Sequence, residues 1–243
     1  MYVVITGASR GIGKALAYAF ASHRYNLILT CKNNIDKLYD IRDDIKDKYK
    51  VDVIVLKGNV YDTPTCPLIE KVKKDVYIVI NNQAKADYTL LQDIDDTTYR
   101  EMIDSNVTNQ VFTTKYFLPS MIHRKDGLIV NISSIWGQIG ASGEVIYSMT
   151  KGAIDSFTKS LSKELKDSDI DVIAFSLGMV DTDMNSHLSD DELKDIVVRL
   201  DDKKMYAPDD IAKKIYDTVS TRQYTTGDII EIDNGLKNIG NLQ

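Results

Sequence analysis

Tyr147 and Lys151 lie four residues apart, the spacing that puts two side chains on one face of a helix. A free phenol titrates near ~10, and an ammonium beside it favours the phenolate. Bringing the phenol to neutrality takes about 3 pH units, or ~4 kcal/mol, after which it can exchange a proton with a carbonyl oxygen at pH 7. Of the 14 tyrosines only Tyr147 has lysine at this spacing. About one such match arises by chance, so the pair alone proves nothing. Ser134 stands 13 residues before Tyr147, where an apolar strand from Leu128 to Ser133 ends. The carboxyl end of a strand is where an α/β sheet presents its chemistry. Asn106 is a polar residue among Met102, Val107 and Val111 in a predicted long helix, and its plainer reading is an exposed helix amide.

A second group of residues sits at the start of the chain. The first predicted strand runs into Thr6-Gly7-Ala8-Ser9-Arg10-Gly11-Ile12-Gly13, which opens a helix. Gly7 permits a sharp turn, Gly11 lets backbone approach a pyrophosphate, and Gly13 lets helix and strand pack closely. The phosphates then face the unpaired N–H groups and positive dipole of that helix. A glycine triplet alone is often just a tight turn; between a strand and a helix it reads as a dinucleotide site. The second strand ends Leu29-Thr30-Cys31-Lys32, without the carboxylate that holds the ribose hydroxyls of NAD. Lys32 and Arg10 could instead hold a 2′-phosphate, which favours NADP(H) over NAD(H); the plainer reading is two solvated cations.

Positioning these groups requires a scaffold, and the hydrophobic pattern supplies one. Short apolar runs predict strands over Tyr2–Thr6, Asn26–Thr30, Val51–Lys57, Val76–Ile80, Leu128–Ser133, Ile170–Ser176 and Ile229–Ile232. Amphipathic segments predict helices over Gly11–His23, Ile35–Tyr49, Asp96–His123 and Val145–Lys166. Strands apolar on consecutive positions are buried on both faces, and helical crossovers make them parallel. The expectation is α/β: a single doubly wound (Rossmann-type) domain over residues 1–243, with a parallel sheet of about seven strands and helices on both faces. The polar, acidic stretch from Thr182 to Pro208 breaks the alternation and reads as a substrate lid or, more plainly, a surface insertion.

Composition narrows the setting. The 243 residues are 43% apolar and 27% charged, with a net charge of −6, which argues against nucleic acid or an anionic membrane as the main partner. Cys31 and Cys66 show neither metal-ligand spacing nor a disulfide framework, and each reads as a small buried hydrophobe in a reducing, cytoplasmic setting. No residues are assigned to a metal. No targeting segment is expected, because the first strand begins at the initiator methionine, and no stretch approaches the ~20 apolar residues of a membrane span.

Taken jointly, the glycine motif, Asn81-Asn82, Asn106, Ser134 and Tyr147-x3-Lys151 resemble the short-chain dehydrogenase/reductase family in order and spacing across essentially the whole chain. The resemblance implies an NAD(P)-dependent oxidoreductase. It implies that Tyr147 is the proton donor, that Ser134 orients the carbonyl oxygen, and that Lys151 holds the nicotinamide ribose and lowers the tyrosine pKa. Asn106 would support a water in the proton relay, Val180 and Thr182 would meet the nicotinamide carboxamide, and Asn59, Val60, Asn82 and Ala84 would line the adenosine side. Homodimers or homotetramers formed through the two long helices are implied as well. Gln83-Ala84 stands where Ala-Gly is usual, Asn59 replaces a common Asp, and Leu177-Gly178 replaces Pro-Gly, which is expected to loosen a rigid turn. The stretch between Asn59 and Asn82 is about four residues shorter than usual, with Pro64 and Pro67 limiting any helix there.

Two branches of that family compete for the substrate. The chain is similar in length and layout to the 3-oxoacyl-carrier-protein reductases, whose acidic carrier docks on basic residues. Lys125 could serve, but Lys166-Asp167-Ser168-Asp169 places negative charge where a second basic patch is expected. The stretch from Ser133 to Ser148 resembles the reductases that act on the 5-aminopentanone group on a lysine of elongation factor P. Trp136 and Glu144 flank the expected pocket there, and a carboxylate suits an aminated substrate; more plainly, Trp136 is core and Glu144 a helix-start residue. Another small ketone is a third possibility. A dinucleotide sensor without catalysis goes with loss of the tyrosine or lysine, and both are present.

Overall fold

A computed structural model of the chain describes residues 1–61, 67–185 and 188–240. Seven strands form one parallel sheet: β1 Tyr2–Ile5, β2 Asn26–Cys31, β3 Val53–Lys57, β4 Val76–Asn81, β5 Gly127–Ser134, β6 Ile170–Leu177 and β7 Ile229–Ile232. Their spatial order is β3-β2-β1-β4-β5-β6-β7, so the order reverses between β1 and β4. A crevice opens at such a point above the carboxyl ends of the strands.

The strands are apolar on consecutive positions because both faces are covered. In β1, Val3 and Ile5 join an apolar cluster with Leu16 and Phe20 of α1 (Gly11–Ser22), Leu38 and Ile45 of α2 (Ile35–Tyr49) and Ile211 and Ile215 of α9 (Pro208–Thr221). Tyr2 and Val4 point the other way, to Ile69 of α3 (Pro67–Val72), Phe117 and Met121 of α5 (Asn109–Arg124) and Leu161 of α7 (Val145–Glu164). This alternation fixes the register, since a slip of one residue would exchange the two clusters. The remaining helices are α4 (Asp96–Ile103), α6 (Trp136–Ile139), α8 (Asp190–Val197) and α10 (Leu236–Gly240).

Two expectations need adjusting. The long predicted helix from Asp96 is interrupted: α4 and α5 are joined by a π-turn over Asp104–Thr108, which holds Asn106. Pro67 does not prevent a helix; it opens α3 from the first turn, where a missing N–H costs nothing. Pro64 and Cys66 lie outside the described residues. Cys31 is buried in the first cluster, and burial pushes its thiol up. Among the described residues no helix is long and apolar enough to cross a membrane.

Candidate active site

The loop after β1 is built so that backbone comes close to whatever lies above it. Gly7 and Gly11 have φ of +68° and +53°, where a side chain is strained. A Cβ on Gly13 would lie 2.4 Å from the Gly7 carbonyl oxygen and 2.6 Å from Asn82 Nδ2, so only glycine fits. The end of β4 braces this loop: Asn82 Nδ2 donates to the Thr6 carbonyl at 2.9 Å, and the Asn82 and Gln83 amides both donate to Thr6 Oγ1 at 3.0 Å. No side chain caps the N-terminus of α1, and its first turn holds no carboxylate. Uncapped N–H groups, a positive helix end and glycines with no room for side chains together fit an anionic dinucleotide.

These residues open onto a cleft of about 1960 Å³, which Ser9, Arg10, Gly11, Ile12, Gly13, Lys32, Asn82 and Ala84 also line. Arg10 is exposed and pairs with Asp183 at 3.0 Å, across the mouth from Val180 and Thr182. A Cβ on Gly11 would meet Thr182 Cγ2 at 3.4 Å, so the two walls nearly touch there. Asn59 and Val60 do not line the cleft, contrary to expectation. The Asn59 amide oxygen accepts from Asn109 Nδ2, and Val60 is buried in the second apolar cluster.

At the other end of the cleft stand Ser134, Trp136, Glu144, Tyr147 and Lys151. β5 delivers Ser134 at its last residue, and the first turns of α7 deliver Tyr147 and Lys151. Lys151 is 2% exposed; its ammonium lies 5.4 Å from the Tyr147 ring centroid and donates to the Ile132 carbonyl at 2.7 Å. Burial pushes this ammonium down to about 8. The expected lowering of the Tyr147 phenol is not what this geometry gives. Burial pushes it up, the Glu144 carboxylate adds to that, and only a hydrogen bond with Ser134 pulls it back. Desolvation of the phenolate is the largest of these effects. A phenol held this way is protonated at pH 7, the state in which it can donate.

Asn106 is fully buried, so the exposed-amide reading is overturned. Its Oδ1 accepts from the Lys85 amide at 2.7 Å, and its Nδ2 donates to the Lys85 carbonyl at 2.8 Å and to Thr150 Oγ1 at 3.0 Å. Thr150 Oγ1 in turn donates to the Tyr147 carbonyl at 2.7 Å. The π-turn thus clamps the loop after β4 to the turn of α7 that carries Tyr147, and such turns recur at functional sites.

From the segment after β6, Met184, Leu188 and Ile196 line the cleft, and Ile196 packs against a small apolar cluster of Ile135, Leu200 and Leu236. The segment is anchored where it leaves and returns, since the Asp181 amide donates to the Tyr206 carbonyl at 2.9 Å. Gly178 is closely packed at this turn: its amide donates to the Ile232 carbonyl at 3.0 Å, and a Cβ would lie 2.4 Å from the Asp233 carbonyl oxygen. Sequence reasoning missed Lys85, Asp87 and Tyr88, which also line the cleft, as does Ser133. Nothing in their spacing singled them out.

Comparison with known proteins agrees with this arrangement. Residues 1–193 match the family model for short chain dehydrogenase. The chain is 33% identical over 234 residues to the uncharacterized oxidoreductase YmfI of Bacillus subtilis, covering 96% of this chain and 97% of that protein. It is 27% identical over 238 residues to a 3-oxoacyl-[acyl-carrier-protein] reductase of Staphylococcus aureus, covering 96% of each. Among solved structures, a protein from Beutenbergia cavernae, proposed as an NAD(P)-dependent gluconate 5-dehydrogenase and holding NADP at low occupancy, superposes with a TM-score of 0.88 at 21% identity over 97% of this chain and 96% of that one. A 3-oxoacyl-[acyl-carrier protein] reductase from Brucella melitensis gives a TM-score of 0.86 at 24% identity, over 97% and 91%. With its sheet order, glycine loop and family match over most of its length, the chain belongs to the short-chain dehydrogenase family and is an NAD(P)-dependent oxidoreductase.

Proposed function

We propose that this protein reduces a ketone to a secondary alcohol with NADPH, and that the ketone is the 5-aminopentanone group on a lysine of elongation factor P. The observation that carries the substrate reading is Glu144, close enough to Tyr147 to tighten the phenol's hold on its proton, in the cleft that Trp136 and Asp87 also line. Two carboxylates and an indole suit a substrate ammonium, and the carboxylates offer nothing to a fatty acyl chain.

In this reading Tyr147 gives its proton to the substrate oxygen, which Ser134 holds in place. Lys151 stabilises the phenolate as it forms and binds the nicotinamide ribose. Asn106 fixes the loop at Lys85 and the turn of Tyr147, and supports the relay that returns the proton. When bound, the nicotinamide supplies the hydride. The loop from Gly7 to Gly13 holds the pyrophosphate, Asn82 and Ala84 the adenosine side, and Val180 and Thr182 the carboxamide. Arg10 and Lys32 hold the 2′-phosphate, a preference supported by the absence of a carboxylate at the end of β2 and by the neighbour that holds NADP. Residues 182–208 act as a lid over the substrate. The protein works in the cytoplasm as a homodimer or homotetramer through α5 and α7, which expose Phe112 and Met149.

A 3-oxoacyl-carrier-protein reductase is the second reading, favoured by the names of several relatives. Asp167 and Asp169 beside Lys166 oppose it, because they repel an acidic carrier. The test follows NADPH absorbance with modified elongation factor P and with an acetoacetyl thioester, side by side. Turnover of the modified factor alone supports our reading; turnover of the thioester alone replaces it with the second.

A further inference from the structure

The end of the cleft that holds Tyr147 and Ser134 lies beside β5, and the glycine loop follows β1. A dinucleotide whose pyrophosphate rests on that loop therefore carries its adenine to the far side, over the ends of β2 and β3. Asn59, expected to meet the adenosine there, lies outside the cleft, and its amide oxygen accepts from Asn109 Nδ2. The next residue of α5, Gln110, reaches the other way and donates to the Gln83 carbonyl at 3.5 Å. One turn of α5 thus ties the end of β3 to the loop after β4, where Gln83 lines the cleft beside Ser105.

The Gln83 backbone is fixed. Its amide donates to Thr6 Oγ1 at 3.0 Å, and a Cβ on Gly7 would lie 2.9 Å from its α-carbon. The side chain is not fixed. Its Nε2 makes one long bond, 3.4 Å, to Ser105 Oγ, and its Oε1 is buried with no hydrogen-bond partner among the described residues. An acceptor kept from water without a partner is costly. The terminal torsion of glutamine is soft, so the amide can turn from Ser105 towards the cleft at little cost. Asn33 and Asn34 line the same cleft but are exposed, so water already satisfies their amides.

We propose that Gln83 is the residue that reads the adenine of the dinucleotide: Oε1 accepts from the exocyclic amine, and Nε2 donates to the neighbouring ring nitrogen. A carboxamide carries an acceptor and a donor side by side, and adenine presents the complementary pair. The contact gives the unpaired oxygen its partner and replaces a poor bond by a good one. It rests on the dinucleotide of the family and not on the choice of ketone.

The test is a fluorescence titration of the cofactor-free protein with NADPH and with the analogue whose purine lacks the amine. The parent should bind NADPH about tenfold more tightly than the analogue, the discrimination that one well-made amide–adenine pair gives. Gln83→Met keeps the length and removes both polar ends, so it should bind the two nearly equally. Equal affinities in the parent overturn the proposal without any variant. A gap that survives in Gln83→Met overturns it as well, and one that closes instead in Asn34→Ala gives the contact to Asn34. Should Gln83→Met not fold, Gln83→Ala is titrated in its place and read by the same outcomes.

Discussion

Replacing Lys151 by methionine tests the energetics of this site apart from its catalysis. Lys151 is 2% exposed, and burial takes its ammonium from the ordinary 10.5 to about 8. Such a drop corresponds to about 3 kcal/mol against the charged form. The unfolded chain keeps this proton up to pH 10.5 and the folded chain only up to about 8. Stability therefore rises with pH across that window, and the whole penalty is present below it. Methionine has a similar length and no charge, so it removes the penalty. It also leaves the Ile132 carbonyl unpaired, which costs ~1–2 kcal/mol. The variant should therefore be more stable than the parent at pH 7 by about 1–2 kcal/mol, raising Tm by roughly 2–8 °C. The gain should fade between pH 8 and 10.5. Urea melts of both proteins at pH 7 and pH 10 measure this directly. A variant less stable than the parent at pH 7, or a stability difference that does not change with pH, would refute the reasoning.

Other perturbations reach the cofactor and substrate ends. Gly13→Ala drives a Cβ to 2.4 Å from the Gly7 carbonyl, so NADPH affinity should fall at least tenfold, with ~1–3 kcal/mol of stability lost; fluorescence titration and thermal melts check both. Arg10→Ala and Lys32→Ala should each weaken NADPH binding several-fold and leave NADH binding unchanged. Asp183→Asn, by freeing Arg10, should tighten NADPH; equal effects on both dinucleotides would contradict the 2′-phosphate assignment. Glu144→Gln should raise KM for the aminated substrate about tenfold without raising it for a neutral ketone.

The sheet was legible because its strands are buried on both faces, which writes them as unbroken apolar runs such as Tyr2–Ile5 and residues 76–80. The glycine loop was legible because its geometry admits no other residue at Gly13. What stayed hidden depends on tertiary packing. Asn106 looked like a surface amide because nothing local marks the π-turn that turns it inward. Asn59 was expected at the cleft, yet its amide is taken up by Asn109, which is 50 residues away in sequence. Spacing placed Tyr147 beside Lys151, but it could not show how deeply the phenol is buried, and burial is the largest influence on it.

The central claim is that Tyr147 is the proton donor of a ketone reductase, and the most direct measurement compares the parent with Tyr147→Phe. NADPH binding is titrated by fluorescence, and NADPH oxidation is followed with modified elongation factor P. The phenyl ring fills the same space without the hydroxyl, so binding should be retained while turnover falls by roughly 10²–10⁴-fold. Turnover at the parental rate by a variant that binds NADPH normally would contradict the account.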